Sequence, residues 1–142
     1  MKNQDFTTTI YVDQTPAEVF NAILNVQGWW SGLYEESFEG GSEKIGDEFS
    51  FLAGGGVHYS KQRLIELEQD KKIVWLVTES KLTFVETTNE WEGTKLSFEI
   101  FKEDDKTKIV FTHIGLVPEF ECFDSCAPAW TGYLQEQRLN LV

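Results

Sequence analysis

Thr15-Pro16-Ala17-Glu18-Val19-Phe20 is the stretch where the chain changes character. Three helix-start signals coincide there. Thr15 can cap, Pro16 suits the first helical position, and Glu18 stands where a capping-box acid reaches back. Val19, Phe20, Ile23 and Leu24 then form one apolar stripe, which predicts a helix to about residue 25. On its N-terminal side, Phe6-Thr7-Thr8-Thr9-Ile10-Tyr11-Val12 is β-branched and aromatic and predicts a strand, closed by Asp13-Gln14. On its C-terminal side, Gly28 ends the helix, and Trp29-Trp30-Ser31-Gly32 predicts a short second helical turn.

From about residue 33 to 115 the period changes from helical to strand-like. Glu48-Phe49-Ser50-Phe51-Leu52 alternates and leads into a Gly54-Gly55-Gly56 link. Runs over 58–67 and 72–79 are joined by Glu68-Gln69-Asp70-Lys71, a hairpin signal, and 81–87 is expected to form a further strand with Leu82 and Phe84 on one face. Over 94–102, Leu96, Phe98 and Ile100 share a face. After Glu103-Asp104-Asp105-Lys106, Ile109, Phe111 and His113 share a face of the run 107–114. Turns this short connect antiparallel neighbours, so the order predicts a meander rather than a parallel sheet with crossover helices. Beyond Pro118, Trp130, Tyr133, Leu134 and Leu141 recur at helical spacing. Pro128 suits only a first turn, which places the expected helix start near Ser125, with a preliminary turn from about Glu119.

The chain has 142 residues, enough for one domain with a real core. Its formal charge of −12 argues against a nucleic-acid partner, because so acidic a surface releases few phosphate counterions. No run of about 18 apolar residues is present, so no membrane insertion is expected. Nothing at the start resembles a secretory leader, and a cytoplasmic location is the default expectation. Cys122 and Cys126 are the only cysteines, too few for a disulfide framework.

The whole reads as a single α+β domain, 1–142. It has a curved antiparallel sheet of six to seven strands, two short helices after the first strand, and a long C-terminal helix that the sheet wraps. A bent sheet gripping one helix leaves room for a pocket between them. In this order and in its motifs the chain resembles the SRPBCC (START-like, helix-grip) superfamily. Within it, the likeness is to bacterial stand-alone relatives of the C-terminal domain of the activator of the heat-shock chaperone ATPase. The likeness is carried by Thr15-Pro16-Ala17-Glu18-Val19-Phe20, Gly28-Trp29-Trp30, Ile45-Gly46-Asp47-Glu48-Phe49, Ile73-Val74-Trp75, Gly93-Thr94-Lys95-Leu96, Thr107-Lys108-Ile109, His113-Ile114-Gly115-Leu116, and Cys122 and Cys126 ahead of Trp130. The resemblance implies the helix-grip fold and either ligand binding or docking on a chaperone or other protein. It also admits a cyclase- or hydrolase-type activity by superfamily analogy.

Neither histidine stands in a catalytic motif. His113 shares the inward face of Phe111, where an imidazole can orient a polar ligand head, act as a base, or simply be a hydrogen-bonded core residue. His113, Cys122 and Cys126 lack a fourth ligand for structural zinc, and no metal or cofactor is expected. Gly54-Gly55-Gly56 lacks the Lys and following helix of a phosphate loop. The acidic runs fall in turns, where solvated charge is the rule. The strongest signal is aromatic: five Trp and eleven Phe, many on inward parities. Buried indole N–H groups need partners, which a cavity wall with water or a polar ligand supplies. The expected function is binding of an apolar or amphipathic small molecule. Trp75, Phe98, Phe111, His113, Cys126 and Trp130 are the expected wall, and His113 is the polar anchor.

Overall fold

The computed structural model describes residues 5–30, 35–83, 85–86, 88–117, 120, 123–136 and 139, with the side chains of 124 and 125 left aside. Strand β1 is Phe6–Val12, followed by α1 (Pro16–Leu24) and α2 (Val26–Trp29). Six strands come next: β2 (Ser37–Gly40), β3 (Glu48–Ala53), β4 (His58–Glu68), β5 (Lys72–Leu82), β6 (Lys95–Glu103) and β7 (Lys106–Ile114). Helix α3 (Phe123–Thr131) closes the order and runs on as a π-helical segment, Gly132–Glu136. The capping box of α1 forms: the Glu18 amide donates to Thr15 Oγ1 at 3.2 Å and the Thr15 amide donates to Glu18 Oε1 at 2.9 Å. Val19, Phe20 and Ile23 are the buried stripe.

All seven strands make one antiparallel sheet in the order β1-β7-β6-β5-β4-β3-β2. Its first strand is therefore an edge, paired to its last. The sheet's curl follows from what the C-terminal segment touches. The Gln135 amide nitrogen donates to Thr8 Oγ1 and the Thr9 carbonyl of β1, at 2.7 and 2.8 Å. Two residues earlier, the Tyr133 hydroxyl donates to Glu36 Oε2 at 2.5 Å, immediately before β2. One helical segment reaches both edges of a seven-stranded sheet, which only a sheet bent around it allows.

Three sequence expectations change. Lys81 and Leu82 open no strand of their own but end β5, and the described residues 83, 85 and 86 lie outside any strand. A β-bulge is the reason. The register steps from Lys61↔Glu79 to Gln62↔Val77, leaving Thr78 extra, so Val77, Ser80 and Leu82 all turn inward on one long strand. Second, α3 starts at Phe123, which puts Pro128 inside the helix rather than in its first turn. The missing N–H costs the ladder its bond to the carbonyl of residue 124. Third, the regular part of the C-terminal helix is nine residues, not a long rod. From buried Gly132, a weak helix former, it widens into the π turn. Cys122, Phe84, Leu141, Pro118, Glu119, Ser31 and Gly32 lie outside the described residues.

Candidate functional site

The concave face of the sheet is rich in aromatic side chains. Trp29 and Trp30, delivered by α2 and its end, stack on each other at 5.5 Å. Trp30 lies flat on Phe51 at 4.0 Å, and Trp29 meets Phe98 edge-on at 5.2 Å. Trp130 of α3 reaches Phe111 at 4.6 Å, Phe111 reaches Phe98 at 4.9 Å, and Phe98 reaches Trp75 at 6.1 Å. Each such pair contributes about 0.5–1.5 kcal/mol beyond the area it buries. Of the expected wall residues, Trp75, Phe98, Phe111, His113 and Trp130 thus lie in one connected, buried set, and Cys126 is buried on the same helix as Trp130. Among the described residues no three His, Cys, Asp or Glu side chains gather in one place.

His113 is fully buried and both of its nitrogens are engaged. The Trp130 indole N–H lies 3.1 Å from Nδ1. An indole nitrogen can only donate, so Nδ1 accepts and the ring proton belongs on Nε2. From there it donates to Thr94 Oγ1 at 2.8 Å, and the Thr94 hydroxyl donates onward to the Trp91 carbonyl at 2.6 Å. Four residues thus close a hydrogen-bond chain that requires a neutral imidazole. Burial pushes His113 down to about 3, and the charge of nearby His58 adds to the effect. The same desolvation lowers His58 to about 4. His58 sits edge-on to Trp91 at 4.6 Å.

A second set of buried polar atoms behaves differently. Ser60 and Gln62 alternate inward along β4 with Leu64, while Lys61 and Arg63 face out and pair with Glu48 at 3.7 and 2.9 Å. Ser60 and Gln62 are fully buried. Ser60 Oγ, both amide atoms of Gln62, and the indole N–H groups of Trp75 and Trp91 have no hydrogen-bond partner among the described residues. Trp75 stands opposite Leu64 in the register, one inward step past Gln62. Trp91 packs on His58, two steps before it. From Ser60 to Leu64 the strip runs about 13 Å at the usual strand rise.

The bulge at Gln62–Val77 interrupts the sheet beside this strip. Past Leu76, β5 no longer pairs with β6. The loop after Leu82 takes its place: the Val77 amide donates to the Thr94 carbonyl, the Gly93 amide to the Val77 carbonyl, and the Leu82 amide to the Thr88 carbonyl. That loop carries Trp91 into the interior. Sequence reading missed Trp91, which sits between two acids without periodicity. It also missed Ser60 and Gln62, although the outward Lys61 and Arg63 mark their parity.

No protein-family model matches the sequence, and no curated protein matches it. Solved structures do. The Aha1 dimer from Colwellia psychrerythraea superposes with a TM-score of 0.74 at 18% identity, over 97% of each chain. Protein CV1439 from Chromobacterium violaceum gives 0.71 at 14% identity, over 98% of this chain and 97% of that one. Ms6760 from Mycobacterium smegmatis gives 0.72 at 7% identity, over 97% and 90%. At such identities the likeness speaks for architecture alone, and this chain has an Aha1-like, helix-grip α+β fold.

Proposed function

We propose that the protein binds an apolar or amphipathic small molecule between the concave face of its sheet and α3, without defined catalysis. One observation carries this reading: unpartnered polar atoms on Ser60, Gln62, Trp75 and Trp91 inside an otherwise largely apolar, aromatic-rich interior. Left unmet, each such group costs about 1–3 kcal/mol, which a core selected only for stability would shed. The aromatic wall is Trp75, Phe98, Phe111 and Trp130, with Cys126 and His113 beside it. His113 is the expected anchor, yet its nitrogens already serve the chain to Trp130 and Thr94, so it shapes the wall while β4 offers the free polar groups.

The test is native mass spectrometry of the freshly purified protein, followed by denaturing extraction. Added mass that leaves on unfolding, or thermal stabilisation growing as RT ln(1 + [L]/Kd) with an aromatic or fatty probe, supports binding. A bare mass with no stabilisation by such probes refutes it.

The second reading is a protein-interaction module. The Colwellia protein is described as a dimer, and Tyr11, Phe101 and Ile114 are exposed on this chain's sheet. With a net charge of −12, docking on a basic partner such as a chaperone surface would be fast and salt-sensitive. Sedimentation at rising protein and salt concentration separates self-association from both alternatives.

A further inference from the structure

We infer that the ligand enters with a neutral polar group that both accepts and donates, such as a primary amide, which Gln62 and its inward neighbour Ser60 on β4 hold. The inference rests on the binding reading above and specifies its chemistry. The unmet groups are unequal in kind. Gln62 brings two N–H donors, Ser60 one O–H, and Trp75 and Trp91 one N–H each. Against these five donors stand two acceptor oxygens with two lone pairs each, the Gln62 carbonyl and the Ser60 hydroxyl. A group that satisfies Gln62 and Ser60 therefore both accepts and donates, as a primary amide does.

The same surroundings argue against an ionised group. The cationic side chains nearest in sequence, Lys61 and Arg63, occupy the outer face and are held by Glu48. The two inward-facing imidazoles resist protonation because they are buried. A carboxylate pressed into the strip would lose its hydration with no counter-charge to replace it, a penalty far larger than that for a carbonyl. The β-bulge supports a built site rather than a packing accident. It falls at Gln62 itself, in a position that re-aims side chains and ends the β5–β6 pairing beside the strip.

Three probes with one skeleton test this: naphthalene, 2-naphthamide and 2-naphthoate at pH 7.5, titrated into the intact protein and read by amide and indole N–H resonances. 2-Naphthamide is expected to bind about tenfold more tightly than naphthalene, the worth of one good net hydrogen bond, and to shift the Trp75 and Trp91 indole signals. 2-Naphthoate is expected to bind worst. Gln62→Leu should erase the amide's advantage while leaving Tm unchanged or higher, since it removes unpartnered atoms. If Gln62→Leu does not fold, Gln62→Met carries the same comparison. Equal affinities for naphthalene and the amide overturn the inference and leave the binding reading standing. So does a preference that survives the Gln62 variants, or a Gln62→Met protein that loses stability. Failure of all three probes to bind overturns the inference, and with a bare native mass and no stabilisation by a fatty probe it overturns the binding reading too.

Discussion

Two sets of buried polar groups face the same aromatic interior, one on the β7–α3 side and one on β4. The first is closed. Trp130, His113, Thr94 and the Trp91 carbonyl pass donors to acceptors without a gap, and the imidazole is neutral because its place in the chain leaves no room for a second proton. The second is open, with Ser60, Gln62 and two indoles offering atoms that no described neighbour meets. Burial is equally complete in both, so burial does not separate structural from functional polarity here. Satisfaction does. A closed network fixes one arrangement of the core, whereas an open one is a cost retained for something outside the chain.

Breaking the closed side should cost most. His113→Ala strands the Trp130 N–H and leaves a void, with an expected loss of about 3–5 kcal/mol by denaturant midpoint. A variant within 1 kcal/mol of the parent would mean the chain is not holding the core. Acid attacks both sides, through His113 in the closed chain and His58 on β4. Both histidines titrate lower in the fold than their ordinary 6.5, so the unfolded chain takes up more protons as pH falls. Stability is full above about 6.5 and declines toward 4 and then 3, by up to about 1.4 kcal/mol per pH unit for each histidine. Tm measured between pH 7.5 and 5 should fall less steeply in a His58→Gln variant than in the parent.

A gentler break comes from behind. Gly115 has φ +103°, and a Cβ there would lie 2.8 Å from Thr94 Cγ2, so Gly115→Ala combines backbone strain with a push on the chain's middle link. A loss of about 1–3 kcal/mol is expected. On the open side no loss is predicted: Ser60→Ala removes an unpartnered buried hydroxyl and should leave stability unchanged or raise it. If Ser60→Ala costs as much as Gly115→Ala, the two sides are not different in kind and the comparison fails.

Much of the fold is legible in local chemistry. The strand Phe6–Val12, the capping box at Thr15 and Glu18, and the inward faces of β6 and β7 all follow from period and turn residues, because one face of each element must be apolar. What local chemistry hides is the bulge. Once Thr78 is inserted, the alternation on β5 changes phase, and the end of a long strand reads as a separate short one. Pro128 misleads for a related reason: tertiary packing of Trp130 against Phe111 holds a helix that its proline opposes. In the site, the aromatic members are visible by parity. Gln62 is visible but mute, since an amide belongs to no catalytic motif. Trp91 has no period at all, and only the loop that folds back on Val77 brings it inside.

The pairing of the first strand with the last has a kinetic side. Thr7 of β1 donates to the Phe111 carbonyl, 104 residues along the chain. During synthesis, β1 leaves the ribosome long before β7, and its apolar face has no sheet partner until β7 follows. Contacts at such separation close late and slowly. The nascent chain therefore passes through a stage in which the sheet has an unsealed, aromatic edge open to whatever holdase or neighbouring strand is at hand.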